Sequence, residues 1–416
     1  MKNKLYITLS VFFFVITSVS AQKYSVGSFT FKDGSSYHGE LVGKKPYGLG
    51  TCTWENGDSY EGNWVLSRRS GHGVMIFAKA SEKYEGEWYD DYMHGKGIYH
   101  FSNNNRYEGF FYKGVQEGQG VMYYFNGDKY SGEWKDNKRS GKGRYTWKDG
   151  AYYDGDWKND MKDGEGTFVW EDGSSYTGQM RQNSRHGKGT YTFADGDVYE
   201  GDWREDVQEG KGIYKFRNGD VYVGDYLNGE RTGHGSFTLA NGNSYIGQFA
   251  NGNQHGKGTY TWANGAIYEG NWKDNQMDGK GTYTWANGDV YEGEWENGTM
   301  NGQGKFRSSD GSVFTGTYKN GKKNGNGTLV NSEGISYVGF FTDDMKDGPY
   351  EEFDSDGNLL HKGVYSKNSL KQVDGKEVQS APEIKDVPDR VLNASNKSTY
   401  SKRKSTRRRS TRRSRR

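Results

Sequence analysis

Scarcity bounds this chain first. A single cysteine, Cys52, among 416 residues rules out an internal disulfide and a multi-cysteine metal site. It is also misplaced for the lipid-bearing cysteine that follows a lipoprotein leader. No GxSxG elbow, HExxH pair or phosphate loop occurs, and no helical pattern supplies the helix N-terminus on which a phosphate loop depends. Leu, Ile and Val are few, a poverty that ordinarily signals disorder. The one long apolar run, Leu5 to Ile16, is too short to span a bilayer comfortably. Preceded by Lys2 and Lys4 and followed by small residues ending at Ala21, it reads as a signal peptide over 1–21. That predicts secretion across the inner membrane to a periplasmic, cell-surface or extracellular location; a retained membrane anchor is the alternative.

What is abundant is glycine and aromatic rings: 63 Gly, 33 Tyr, 20 Phe and 12 Trp against 4 Pro. The net charge of +2 hides a division. Ten cations and no acid lie in 402–416, and setting these and the two leader lysines aside leaves 44 basic against 54 acidic side chains. The chain is an acidic body with a basic tail.

The rings are periodic, which argues for an ordered aromatic core. An anchor falls at Tyr37, Tyr60, Tyr84, Tyr107, Tyr130, Tyr153, Tyr176, Tyr199, Tyr222, Tyr245, Tyr268, Tyr291, Phe314 and Tyr337. All intervals are 23 residues except the 24 from Tyr60 to Tyr84. Such a period marks a stacked array. With the anchor as position 0, position 2 is glycine and position 4 is mostly aromatic, as in Tyr60–Gly62–Trp64, Tyr84–Gly86–Trp88, Tyr130–Gly132–Trp134, Tyr268–Gly270–Trp272 and Tyr291–Gly293–Trp295. Alternation of this kind predicts a strand with one packed face. A second strand carries glycine at 11 and 13 and rings at 15 and 17, and every tryptophan falls at 4 or 17. Asn-Gly or Asp-Gly pairs such as Asn56-Gly57 and Asp149-Gly150 supply a hairpin turn, leaving the stretch from 4 to 11 as the longer loop. The glycines at 2 and 13 clear room for neighbouring rings. Acids at positions 1 and 3 and lysines at 12 populate the other face, where cross-strand pairs are expected.

These residues name a family. YEGEW, a short polar loop, HGKG, and an aromatic strand ending in Asn-Gly or Asp-Gly resemble the MORN (membrane occupation and recognition nexus) repeat over about residues 24–365. The resemblance implies an all-β, elongated antiparallel meander of successive hairpins, a rod of roughly 130 Å at about 4.8 Å per strand. It also implies a scaffold, a dimerisation module or a lipid-binding module, and brings no fixed ligand residues. The expected organisation is a signal peptide at 1–21, the array at 22–365, and a disordered basic tail at 366–416. The segment DGPYEEFDSDGNLLHKGVY at 347–365 resembles a shorter terminal repeat, and the 24-residue interval predicts a bulge or longer turn near Lys79-Ala80-Ser81.

Few residues escape the period. His94, His186 and His255 share position 10, and His72 and His234 share position 12, so they sit on separate repeats and do not converge as a metal site requires. Cys52 takes position 15 and reads as a small buried hydrophobe. The expectation is a non-enzymatic scaffold with no cofactor, no metal and no small-molecule substrate; the alternative is a glycan- or peptidoglycan-binding module using exposed rings. Protein partners stay unspecified, and homo-oligomerisation stays open. The candidate anionic-surface residues are Lys402, Arg403, Lys404, Arg407, Arg408, Arg409, Arg412, Arg413, Arg415 and Arg416, a solvated polycation for anionic lipid, envelope glycolipid or another polyanion.

Overall fold

A computed structural model describes residues 24–378, so the expected leader and the basic run at 402–416 lie outside the described residues. Among the described residues the fold is all-β, with 32 strands and no helix. The chain divides into two compact units, one ending at Met161 and the other starting at Lys162. In the first, each strand from Ser25–Thr30 to Tyr152–Lys158 pairs antiparallel with its successor. The second unit is built by the same rule, down to the short strand Lys376–Glu377.

The repeat beginning at Tyr84 shows how the pattern becomes structure. Its strands are Glu82–Tyr89 and Tyr92–His100. Tyr84 stands opposite Tyr99 and Gly86 opposite Gly97. Past Gly86 the register shifts, so that Trp88 faces Met93. This bulge uses Gly95 at φ +59°, a conformation that a side chain would strain.

The two turns exchange the roles expected of them. The stretch from position 4 to 11 is not a long loop. Asp136 and Asn137 both have positive φ (50° and 62°), and so do Asn159 and Asp160 (50° and 67°), the signature of a two-residue type I′ turn. Asn and Asp tolerate that conformation, so the strands run right up to the turn. The Asn-Gly or Asp-Gly pairs instead close a three-residue loop. Gly150 N–H donates to Trp147 O (3.0 Å) and Trp147 N–H to Ala151 O (2.8 Å), with Gly150 alone left-handed. This is a type I turn followed by a glycine bulge.

The 24-residue interval lengthens one such turn. Phe77 pairs with Glu82 across four residues, 78–81, and Ser81 takes φ +56° where glycine is missing. At the other end, strands continue beyond the expected limit at 365, with Leu359–Ser366, Ser369–Val373 and Lys376–Glu377. Part of the stretch expected as tail from 366 is therefore strand, since tight turns at Lys367-Asn368 and Asp374-Gly375 keep the chain folding back after the ring period has faded, and the rest of it lies outside the described residues.

Candidate interaction surface

The anchor residues form the core. Tyr60, Tyr84, Tyr130, Tyr268 and Tyr291 are fully buried, and Trp64, Trp88, Trp134, Trp272 and Trp295 are nearly so. Each tyrosine meets the tryptophan two positions past its glycine edge-to-face, as in Tyr84–Trp88 at 5.3 Å and 85°. It meets the position-4 ring of the following repeat the same way, as in Tyr84–Phe111 at 5.1 Å and 82°. Burial strands two polar groups, and both find backbone. Tyr84 Oη donates to Glu87 O at 2.8 Å, and Trp157 Nε1 donates to Gly143 O at 2.8 Å. The glycines make room: a Cβ on Gly62 would meet the backbone of Gly73, and the same holds for Gly86 against Gly97, Gly132 against Gly143, Gly270 against Gly281 and Gly293 against Gly304. Burial raises the pKa of Tyr60, Tyr84, Tyr130, Tyr268 and Tyr291 and pushes Tyr37, with help from nearby Glu40, up to about 12.

The second ring row, at positions 15 and 17, is half-buried for much of its length. Phe168 and Trp170 stack at 4.3 Å, and Trp170 meets Tyr191 at 5.3 Å. Among the described residues this row leaves ring surface accessible where the position-4 tryptophans do not. Where position 15 carries Cys52 and Met75 in place of rings, an open hollow of about 450 Å³ remains between Trp54 and Phe77 beside Arg69. Cys52 itself is fully buried and desolvation raises its thiol pKa, so it lacks the thiolate character of a nucleophile.

On the opposite face, the expected charge pairs form, but between repeats. Lys142 Nζ lies 2.7 Å from Asp156 and Lys188 Nζ 2.6 Å from Asp202. The position-3 side chain has a second task, accepting the position-12 backbone N–H of its own repeat. Lys211 N–H donates to Asp202 at 3.0 Å and Gln303 N–H to Glu294 at 3.0 Å. Much of the acidic row is thus engaged in holding the bulge.

One class of residue went unnoticed in the sequence. At position 9, Arg69, Arg139 and Arg185 lie over Trp88, Trp157 and Trp203 at 4.4, 4.4 and 4.2 Å. Each guanidinium Nε also reaches an aspartate in the next type I′ turn: Asp91 at 3.2 Å, Asp160 at 3.0 Å and Asp206 at 3.0 Å. The signal was legible as an arginine at position 9 followed by an aspartate at position 7 of the next unit.

Among the described residues, no group of three His, Cys, Asp or Glu is placed to hold a metal ion. His186 and His255 lie on separate strands, Ser184–Thr192 and Asn253–Thr261. The charged pattern breaks around the third of the position-10 histidines, His94, which lies between the exposed rings of Tyr89 and Tyr112. The ten candidate cations from Lys402 to Arg416 lie outside the described residues.

The MORN repeat pattern matches thirteen consecutive segments, the first at 37–59 and the last at 314–334, with residues 82–83 skipped at the 24-residue interval. The fourteenth unit, from Tyr337, is not among them, although its strands Ser336–Thr342 and Met345–Phe353 pair as the others do. No curated protein matches the chain. Solved structures with some likeness include the G-box domain of the microcephaly protein CPAP, at 11% identity over 49% of this chain and 100% of that one, with a TM-score of 0.27. The TCP10 domain of Danio rerio CPAP is 12% identical over 64% and 99%, with a TM-score of 0.17. A virginiamycin B lyase from Staphylococcus aureus is 12% identical over 76% and 94%, with a TM-score of 0.12. TM-scores this low support no argument about fold or function.

Proposed function

The chain belongs to the MORN repeat family, and from that premise we propose that it is a non-enzymatic scaffold, exported to the cell envelope or beyond it, that gathers protein or membrane-surface partners. MORN repeats are a non-catalytic repeat type, consistent with scaffolding for protein or membrane interactions. The observation that carries the reading is the outward face, where the same charged rows recur every 23 residues and present many equivalent contacts. Weak contacts multiplied along one chain gain by effective concentration.

The basic run at 402–416 supplies the second part of the mechanism. Ten cations in fifteen residues are drawn to anionic headgroups or envelope glycolipid, with an attraction that salt screens. Co-sedimentation with phosphatidylglycerol vesicles tests this directly. The full chain is expected to bind at low salt and to release as salt rises, whereas a chain ending at Val378 is expected to stay in solution. Equal binding by the two would sink the tether. Recovery of the chain from the cytoplasmic fraction alone would overturn export.

A further inference from the structure

The outward face gathers exposed tyrosines along one ridge of the first unit. At position 5, seven of the fourteen repeats carry a charge, as at Lys135, Lys158, Arg181, Arg204 and Lys273, and five others carry a Val, Leu, Ala or Thr. In the first unit two successive repeats carry Tyr89 and Tyr112 there, 64% and 52% exposed. Tyr92, paired across the turn from Tyr89, is 52% exposed. Between Tyr89 and Tyr112 lies His94, its ring centroid 5.6 Å from one and 5.3 Å from the other, tilted by 50° and 53°. A core does not need rings at these positions, and solvent gains nothing from them. Clustered exposed tyrosines mark a recognition surface.

We propose that this ridge binds a proline-rich segment of a partner protein in the polyproline II conformation. Two features select that ligand. The first is spacing. Tyr89 and Tyr112 occupy equivalent places one repeat apart, which is two strand spacings, about 9.6 Å. One turn of polyproline II advances about 9.3 Å, so prolines three residues apart rest on the two tyrosines in register. The two intervening residues pass over His94.

The second feature is hydrogen-bond polarity. The Nδ1 of His94 is buried with no partner. The tautomer with its proton on Nε2 leaves Nδ1 as an unpaired acceptor, which costs less than burying an unpaired N–H beneath the rings. The site therefore offers Nε2–H and three phenol hydroxyls, none of which is bonded to another described residue. A proline-rich strand presents the complement, since its carbonyls point outward unbonded and proline has no N–H. A neutral sugar chain brings hydroxyl donors along with its acceptors, and against a set that offers mainly donors it fits less well.

The proposal rests on the scaffold reading, but tail-mediated vesicle binding is independent of it, so either fails without the other. The test is calorimetric titration of the full chain with a ten-proline peptide, against a Gly-Ser peptide of equal length and a cello-oligosaccharide. Saturable binding of the proline peptide alone is expected. The double substitution Tyr89→Ser, Tyr112→Ser should weaken it at least tenfold, while Tyr24→Ser, at an exposed tyrosine elsewhere, should leave it unchanged. Unaltered circular dichroism of the double variant would show that its fold is kept. The proposal is overturned if the proline peptide does not saturate, if the double variant binds it equally, or if the oligosaccharide binds at these tyrosines in its place.

Discussion

The phenol ring of Tyr84 occupies the space in which a Cβ on Gly97 would stand. Gly97→Ala must therefore displace a fully buried ring that itself wedges between Trp88 and Phe111. Overpacking of this kind costs about 2–3 kcal/mol. Gly114 provides the contrast: its φ is +88° but no atom lies within 4 Å of a built Cβ, so Gly114→Ala carries only the left-handed backbone cost, about 1 kcal/mol. Repeat arrays open locally, so the measurement should be too. Native-state hydrogen exchange over 82–100 should accelerate strongly in the first variant and mildly in the second. Equal effects would refute the packing argument.

Arg139 contributes by shape as well as charge. Its guanidinium lies 4.4 Å from the centroid of the Trp157 ring, while Nε and Nη2 reach the Asp160 carboxylate (3.0 Å) and carbonyl (2.9 Å). An ammonium cannot span both oxygens and the ring together. Arg139→Lys should lower the stability of this region by about 1–2 kcal/mol, read as an earlier urea midpoint in tryptophan fluorescence. Arg204→Lys, at an exposed arginine on the outward face, should move the midpoint little.

The strands were legible in the sequence because their ring alternation is strong and repeated; Tyr130–Gly132–Trp134 announces a packed face by itself. The turns were harder. Asn56-Gly57 is the familiar hairpin signal and drew attention from pairs such as Asp136-Asn137, which take the tighter type I′ turn without a glycine. The strand edge is legible only once both turns are known, since position 9 reaches the core face through the bulge after Gly132. That is why the arginine stacking on Trp157 was missed. The ridge at Tyr89 and Tyr112 was hidden for a different reason: among so many tyrosines, only exposure separates a structural ring from a spare one.

Phe314 is the one anchor without a hydroxyl. At the preceding anchor, Tyr291 Oη donates to Glu294 O at 3.0 Å, and the equivalent acceptor beside Phe314 is the carbonyl of Thr317. Phe314 keeps the ring geometry of its neighbours, meeting Tyr318 at 5.4 Å and 86°. Phe314→Tyr adds the missing donor at a place already shaped for it, and should stabilise the surrounding strands by up to about 1 kcal/mol. Slower hydrogen exchange over 313–330 is the expected result. Faster exchange would show that the pocket here has closed around a smaller ring.

The buried tyrosines also set the response to alkali. Desolvation raises the pKa of Tyr60, Tyr84, Tyr130 and Tyr268 above the ordinary phenol value of about 10, because a phenolate is costly where rings and backbone surround it. A raised pKa in the folded state means that the unfolded chain gives up these protons first. The contribution to stability is complete below pH 10 and is lost as pH climbs from there toward the folded-state values. Each such tyrosine removes about 1.4 kcal/mol per pH unit within that window. Because many repeats contribute such a tyrosine, the losses accumulate steeply. Phenolate absorbance and loss of β circular dichroism should rise together in one sharp step above pH 10. A gradual phenolate titration that leaves the β signal intact would show that the anchor row is open to solvent.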